Sequence, residues 1–201
     1  LVAGGGPAGI GAALGAARAG AKTMLIEKDN ALGGMATMGM MSHWSGSLEN
    51  PLMHEIVDRM AASKSQPLTW NDNLTDHDKR WSLSHECQKS VLFQMMKEAG
   101  VTVQLHTIAA GAVMDGNRVR GLTESKSGRE AIMAKVVIDS TGDGDAAAFA
   151  GADYLLGRED DHVCQPVTLM FRIGGVDYSR AIFPGSFESY MDIPKGEVQA
   201  L

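Results

Sequence analysis

Directly after the apolar Leu1-Val2-Ala3, the chain carries Gly4-Gly5-Gly6-Pro7-Ala8-Gly9, a G-x-G-x-x-G pattern that limits the fold more than any other feature. Leu1-Val2-Ala3 reads as the end of a buried strand. Residues 8–19 are mostly alanine and glycine and read as a small-residue helix, with Gly20 placed to stop it at C′. Thr23-Met24-Leu25-Ile26 reads as a second strand, and Glu27 stands at its end, about 20 positions after the glycines. Strand, glycines, helix, strand and acid in that order make a βαβ unit of the dinucleotide-binding kind.

Each residue of such a unit has a physical job. Gly4 allows the tight turn out of the strand. Gly6 lets the backbone approach a pyrophosphate with no Cβ in the way, and Gly9, with Ala13, lets the helix lie close on the sheet. Pro7 and Ala8 open the helix, whose unpaired N–H groups and partial positive charge suit phosphate. Glu27 can accept hydrogen bonds from an adenosine ribose and would repel a 2′-phosphate. The unit by itself fits NAD as well as FAD, and the competing reading is a glycine-rich turn in some other α/β protein.

Composition narrows the partners. The 201 residues are 44% hydrophobic and 21% charged, which excludes disordered, collagen-like and disulfide-scaffold chains. The balance of 18 basic against 24 acidic residues, with no Lys/Arg run, argues against a nucleic-acid partner. Apolar stretches are interrupted before the ~20 residues of a membrane span. Cys87 and Cys164 are the two cysteines and read as free thiols in a reducing compartment, which points to the cytoplasm. Both ends look cut: three residues precede Gly4 where a central strand needs about 5, so the expectation is the front part of a larger protein.

Two further motifs separate the cofactors. Gly33-Gly34-Met35-Ala36-Thr37 follows Glu27, and Val136-Val137-Ile138-Asp139-Ser140-Thr141-Gly142-Asp143-Gly144-Asp145 is an apolar strand ending in Thr-Gly. With Gln165-Pro166-Val167-Thr168-Leu169-Met170-Phe171-Arg172, these motifs make the sequence resemble the FAD-dependent oxidoreductase family of the glutathione-reductase-like, two-dinucleotide-binding-domain flavoproteins. The resemblance implies an α/β, Rossmann-like FAD-binding domain with a three-stranded β-meander and an inserted cap segment, followed by the start of a substrate domain. Its implied boundaries are 1–150 for the FAD domain, 35–82 for the cap, and 151–201 for the substrate domain. The implied cofactor contacts are Gly4, Gly6, Pro7, Ala8 and Gly9 at the pyrophosphate, and Glu27 and Lys28 on the adenosine side. Gly33, Gly34, Met35, Ala36 and Thr37 would lie along the pyrophosphate and ribityl chain. The backbone past Thr107, at Ile108, would approach the adenine, and Thr141, Gly142 and Asp143 would close the site.

The departures shape the implied activity. Disulfide reductases of the superfamily carry a redox cysteine pair just after the Gly-Gly, and residues 35–41 contain no cysteine. No second G-x-G-x-x-G follows. The implied function is an FAD-dependent oxidoreductase that exchanges a hydride between flavin and a small organic substrate without a Cys-pair mechanism. The alternatives are an FAD- or NAD-binding module without redox turnover and an enzyme using NAD(H) alone.

Local signals organise the rest. Asn50 can cap a helix with Pro51 at its first position, and Leu52, Ile56, Val57 and Met60 share a face. Ser84 can cap another helix, with Val91, Leu92, Met95, Met96 and Ala99 as its stripe and Gly100 as its stop. Val101, Val103 and Leu105 alternate as a strand. Segments 109–114 and 118–123 flank Asp115-Gly116-Asn117 as a hairpin, and 131–138 completes a meander that leads to Thr141-Gly142. An alanine-rich helix from Asp145 would present a second N-terminus to the cofactor, and 168–173 reads as a strand opening the substrate domain.

The remaining candidates each have a plain reading. Met35, Met38, Met40 and Met41 suit flexible apolar packing, or a sulfur-rich wall against the flavin ring. His43, followed by Trp44, is a structural histidine or a proton donor at the flavin edge. Trp70 and Trp81 read as anchors of an irregular segment. His85-Glu86-Cys87 and His162-Val163-Cys164 lack the usual zinc spacing, so no metal is expected. Asp143 and Asp145 are acid/base candidates, with a polar contact to the cofactor the better reading of Asp143. Gln165 and Arg172 stand where the substrate domain would begin, Arg172 as a carboxylate holder or a solvated residue.

Overall fold

The computed structural model of the chain describes residues 1–41, 50–63, 84–124, 128–177 and 180. The elements in chain order are β1 (Val2–Ala3), α1 (Pro7–Arg18), β2 (Met24–Ile26), a 3-10 turn (Gly34–Ala36), α2 (Pro51–Ala62), α3 (His85–Glu98), β3 (Thr102–Gln104), β4 (Ala109–Asp115), β5 (Arg118–Glu124), β6 (Glu130–Met133), β7 (Ile138–Asp139) and α4 (Asp145–Phe149). The fold is mixed α/β. A four-stranded sheet runs in the order β3-β2-β1-β7, and a three-stranded sheet in the order β4-β5-β6.

In the first sheet every pairing is parallel: Val2 faces Leu25 and Ile138, Ala3 faces Ile26 and Asp139, and Leu25 faces Val103. Successive strand residues point to opposite faces, and the core divides accordingly. Val2 and Leu25 join Ile10, Leu14, Ile56, Met60, Leu92, Met95 and Met96 on the helical side. Ala3 and Ile26 join Ala109, Leu122 and Ala146 on the side of the meander and α4. A sheet covered on both faces needs uninterrupted apolar strands, which is why Leu1-Val2-Ala3 and Met24-Leu25-Ile26 do not alternate.

The helix ends follow their local chemistry. Asn50 accepts the Leu52 N–H at 2.9 Å with Pro51 in the first turn of α2, and Ser84 accepts the Cys87 N–H at 3.5 Å to start α3. Gly20 and Gly100 follow α1 and α3 with φ of +89° and +71°. Helix α2 belongs to the segment read as a cap, and it lies in the helical layer with Ile56 and Met60 buried. An ion-pair chain links it to its neighbours, from Arg18 to Glu55 (2.7 Å), Glu55 to Arg59 (2.9 Å) and Arg59 to Glu98 (2.7 Å). Among the described residues, no helix is long and apolar enough to cross a membrane.

Two strand expectations are corrected. Segment 131–138 is not one strand. The Ala134 N–H makes a last bond to Arg120 O, and the chain then crosses to the parallel sheet, where Ile138 N–H meets Leu1 O and Ser140 N–H meets Ala3 O. Both halves are apolar, so periodicity alone cannot mark the change of partner. Segment 168–173 forms no strand: it pairs with nothing among the described residues, and Leu169 and Phe171 are 85% and 69% exposed. Its alternation is present, but a strand exists only through its ladder.

Candidate functional site

Because all four strands of the main sheet run parallel, their carboxyl ends share one edge, which is where ligands bind in open α/β sheets. The strand order fixes what stands along that edge. Thr107 and Ile108 follow β3, Glu27 follows β2, the glycine loop follows β1, and Thr141, Gly142 and Asp143 follow β7. Residues from four distant parts of the chain are thereby set in a row.

The glycine loop is a cradle that side chains would fill. Gly4 has φ +95°, and a Cβ on it would lie 2.2 Å from Ser140 O. A Cβ on Gly9 would lie 1.8 Å from Gly4 O, so α1 could not begin this close to β1 with any larger residue. Gly6 faces open space, with nothing nearer than 4.0 Å to its would-be Cβ. Pro7 and Ala8 are exposed. The N–H groups of Ala8 and Gly9 have no acceptor among the described residues, and α1 has no side-chain cap. Open backbone, free N–H donors and a helix start fit a pyrophosphate.

On one side of the cradle, Glu27 is 5% exposed. Its carboxylate accepts the Gly5 N–H at 2.5 Å and the Asp29 N–H at 2.8 Å. A carboxylate has about four acceptor sites, so capacity remains for hydroxyl donors. Lys28 is exposed and turned to Asp29 at 2.9 Å, and that hydrogen bond raises its pKa. The chain after β3 wraps this corner: Thr107 N–H bonds Glu27 O, His106 N–H bonds Asp29 O with φ +52°, and Ile108 is left half-exposed at the rim.

The Gly33-Gly34 segment is tied to the cradle by the Gly33 N–H to Gly5 O bond at 2.8 Å. Thr37 is buried and donates its hydroxyl to Leu32 O at 2.6 Å, so its side chain closes this loop. Ala36 is buried, whereas Met35, Met38 and Met41 are exposed, Met35 by 60%. Core packing therefore does not account for these three methionines.

On the other side, Asp139 organises the end of β7. One carboxylate oxygen accepts the Thr141 N–H (3.0 Å) and the Thr141 hydroxyl (2.8 Å), and the other accepts the Ala147 N–H (2.8 Å). Burial pushes this carboxyl upward, but the bonds from Thr141, Ala147 and Ala146 together hold it below the usual aspartate value. The α4 N-terminus, expected to face the cofactor, is thus occupied by Asp139, and the helix has only five residues. Gly142 and Asp143 are exposed at the rim.

Several candidates stand elsewhere. His43, Trp44, Trp70 and Trp81 lie outside the described residues. Cys87 is buried with Sγ 2.8 Å from Ser63 Oγ, and Cys164 is exposed. His85 is held below the usual imidazole value by burial and by the positive charge of Arg172. Helix α3 precedes β3 and runs back along it, so its first turn lies at the same edge as the cradle. There His85 Nδ1 and Gln88 Oε1 are buried without a hydrogen-bond partner. Gly5, Asp29 and Asp139 were not singled out from the sequence. Gly5 and Asp29 act through backbone N–H groups that any residue carries. Asp139 had a signal, an acid two positions before Thr141 where an Asx turn can form.

The sequence model of the family described as FAD dependent oxidoreductase matches residues 1–197. The soluble pyridine nucleotide transhydrogenase of Vibrio vulnificus is 35% identical over 77 residues, covering 38% of this chain and 15% of that protein. Among solved structures, a geranylgeranyl bacteriochlorophyll reductase-like protein from Thermoplasma acidophilum aligns with a TM-score of 0.54 at 20% identity, covering 82% of this chain and 43% of that one. L-Proline dehydrogenase from P. horikoshii aligns with a TM-score of 0.52 at 15% identity, covering 75% and 55%. At these identities the two structures show a shared fold. The chain spans about half the length of those structures and 15% of the curated relative.

Proposed function

The chain belongs to the FAD dependent oxidoreductase family, and from that premise we propose that it serves an enzyme exchanging a hydride between bound FAD and a small organic substrate. Residues 1–150 hold the cofactor in this reading, and residues 151–201 begin the part that holds the substrate. The observation that carries it is the order of groups along one sheet edge: a buried acid, a cradle with free N–H donors, and the Thr141 loop. Gly4, Gly6, Pro7, Ala8 and Gly9 receive the pyrophosphate at the start of α1. Glu27 accepts the adenosine ribose hydroxyls, with Lys28 and Ile108 at that rim. Gly33, Gly34, Met35, Ala36 and Thr37 follow the pyrophosphate and ribityl chain, and Thr141, Gly142 and Asp143 close the ring side.

When bound, FAD supplies the two-electron chemistry, and the protein supplies binding, orientation and electrostatics. Thiol–disulfide exchange beside the Gly-Gly is excluded, since residues 35–41 contain no cysteine. Both cysteines are free, which favours a reducing compartment such as the cytoplasm. The test is anaerobic photoreduction of the full-length protein followed by a panel of organic and quinone acceptors. Reoxidation by at least one acceptor supports turnover. A reduced flavin that passes electrons to none of them contradicts it and leaves a binding module.

A further inference from the structure

We propose that Asp139 is the positioning residue for the ring half of the cofactor, through its hold on loop 141–143. This rests on the FAD reading above. Asp139 is pinned first by its strand: it pairs in parallel register with Ala3, the residue before the glycine loop. Its neighbour Ser140 touches Gly4 so closely that no Cβ fits between them. The backbone that delivers Asp139 is therefore the backbone that shapes the pyrophosphate cradle.

From that fixed point the carboxylate reaches in two directions. One oxygen takes the Thr141 N–H and hydroxyl, and the other takes the Ala147 N–H across the loop. The Thr141 hydroxyl is a relay, because it donates to Asp139 and accepts the Asp145 N–H at 2.9 Å. Gly142 and Gly144, with φ of +96° and +77°, complete the turn on either side of Asp143. The loop is thus tied at both ends by bonds within the chain itself, which lowers the ordering cost left to binding. The carboxylate has no ion-pair partner among the described residues, so its charge, met by N–H and O–H donors alone, adds a negative potential on this side of the site.

The test compares full-length wild type with Asp139→Asn, Thr141→Val and Thr141→Ser, reading FAD affinity and flavin midpoint potential. Asparagine turns an N–H donor toward N–H groups that need an acceptor. We expect about tenfold weaker FAD binding or more and an upward shift in potential from loss of the charge. Thr141→Val should weaken binding similarly and Thr141→Ser should restore it; unchanged affinity and potential in Thr141→Val would overturn the inference even if Asp139→Asn does not fold. Variants that only lower Tm, with FAD affinity and potential unchanged, would overturn the inference and leave Asp139 as a structural cap. A wild-type protein that takes up no FAD would overturn the underlying reading and the inference with it.

Discussion

Glu27 joins two tasks in one side chain. Its oxygens hold the Gly5 and Asp29 N–H groups, so the same carboxylate that would meet a ribose also fixes the glycine loop. Glu27→Gln replaces one acceptor with a donor and leaves a buried N–H unpaired, a cost of about 1–3 kcal/mol. Isothermal titration should show FAD affinity falling by about tenfold or more, and Glu27→Arg should do worse. Unchanged affinity in both would remove Glu27 from the site. Two glycines of α1 make a sharper contrast. Gly9→Ala puts a methyl 1.8 Å from Gly4 O, whereas a Cβ on Gly15 meets nothing within 4 Å. Thermal unfolding and flavin content should both fall for Gly9→Ala. Gly15→Ala should gain about 0.5–1 kcal/mol of stability from helix propensity. Asp139 adds a pH dependence. Its folded pKa is lowered, so its contribution is complete above the ordinary aspartate value of 3.8 and declines as pH falls below it. Denaturant unfolding between pH 6 and about 3 should show that decline, and Asp139→Asn should flatten it.

At the scale of elements, α2 separates what burial does from what charge does. Met60 is fully buried between α2 and its neighbours, and Glu55 sits half-exposed in the Arg18–Arg59–Glu98 chain. Met60→Ala should cost about 2–5 kcal/mol and Glu55→Ala under about 1 kcal/mol; calorimetry that reverses this order would contradict the packing described. The helices were legible because their ends are local. Asn50-Pro51, Ser84, Gly20 and Gly100 each carry the signal within a few residues, and the glycine loop is equally self-contained. The strands were less so. Where 131–138 changes sheets depends on Leu1 and Ala3 at the far end of the chain, and no periodicity within the segment records that. The alanine-rich stretch after Asp145 read correctly as a helix, yet its N-terminus is taken by Asp139. That occupancy is a tertiary fact about a side chain six residues earlier.

For the whole molecule, the main sheet does the organising. Four parallel strands in the order β3-β2-β1-β7 bring Ile108, Glu27, Gly6 and Thr141 to one edge, although Gly6 and Thr141 stand 135 positions apart in the chain. Helices α1 to α3 cover one face, the meander and α4 cover the other, and that edge is where the proposed cofactor site lies. Family membership over residues 1–197 and the shared fold agree with this layout. In this layout the edge holds FAD. The most direct test is an absorbance spectrum of the purified full-length protein, with the released chromophore identified by mass. Bands at about 370 and about 450 nm from flavin and a mass equal to FAD are expected. A colourless protein that binds NAD+ and not FAD would contradict it.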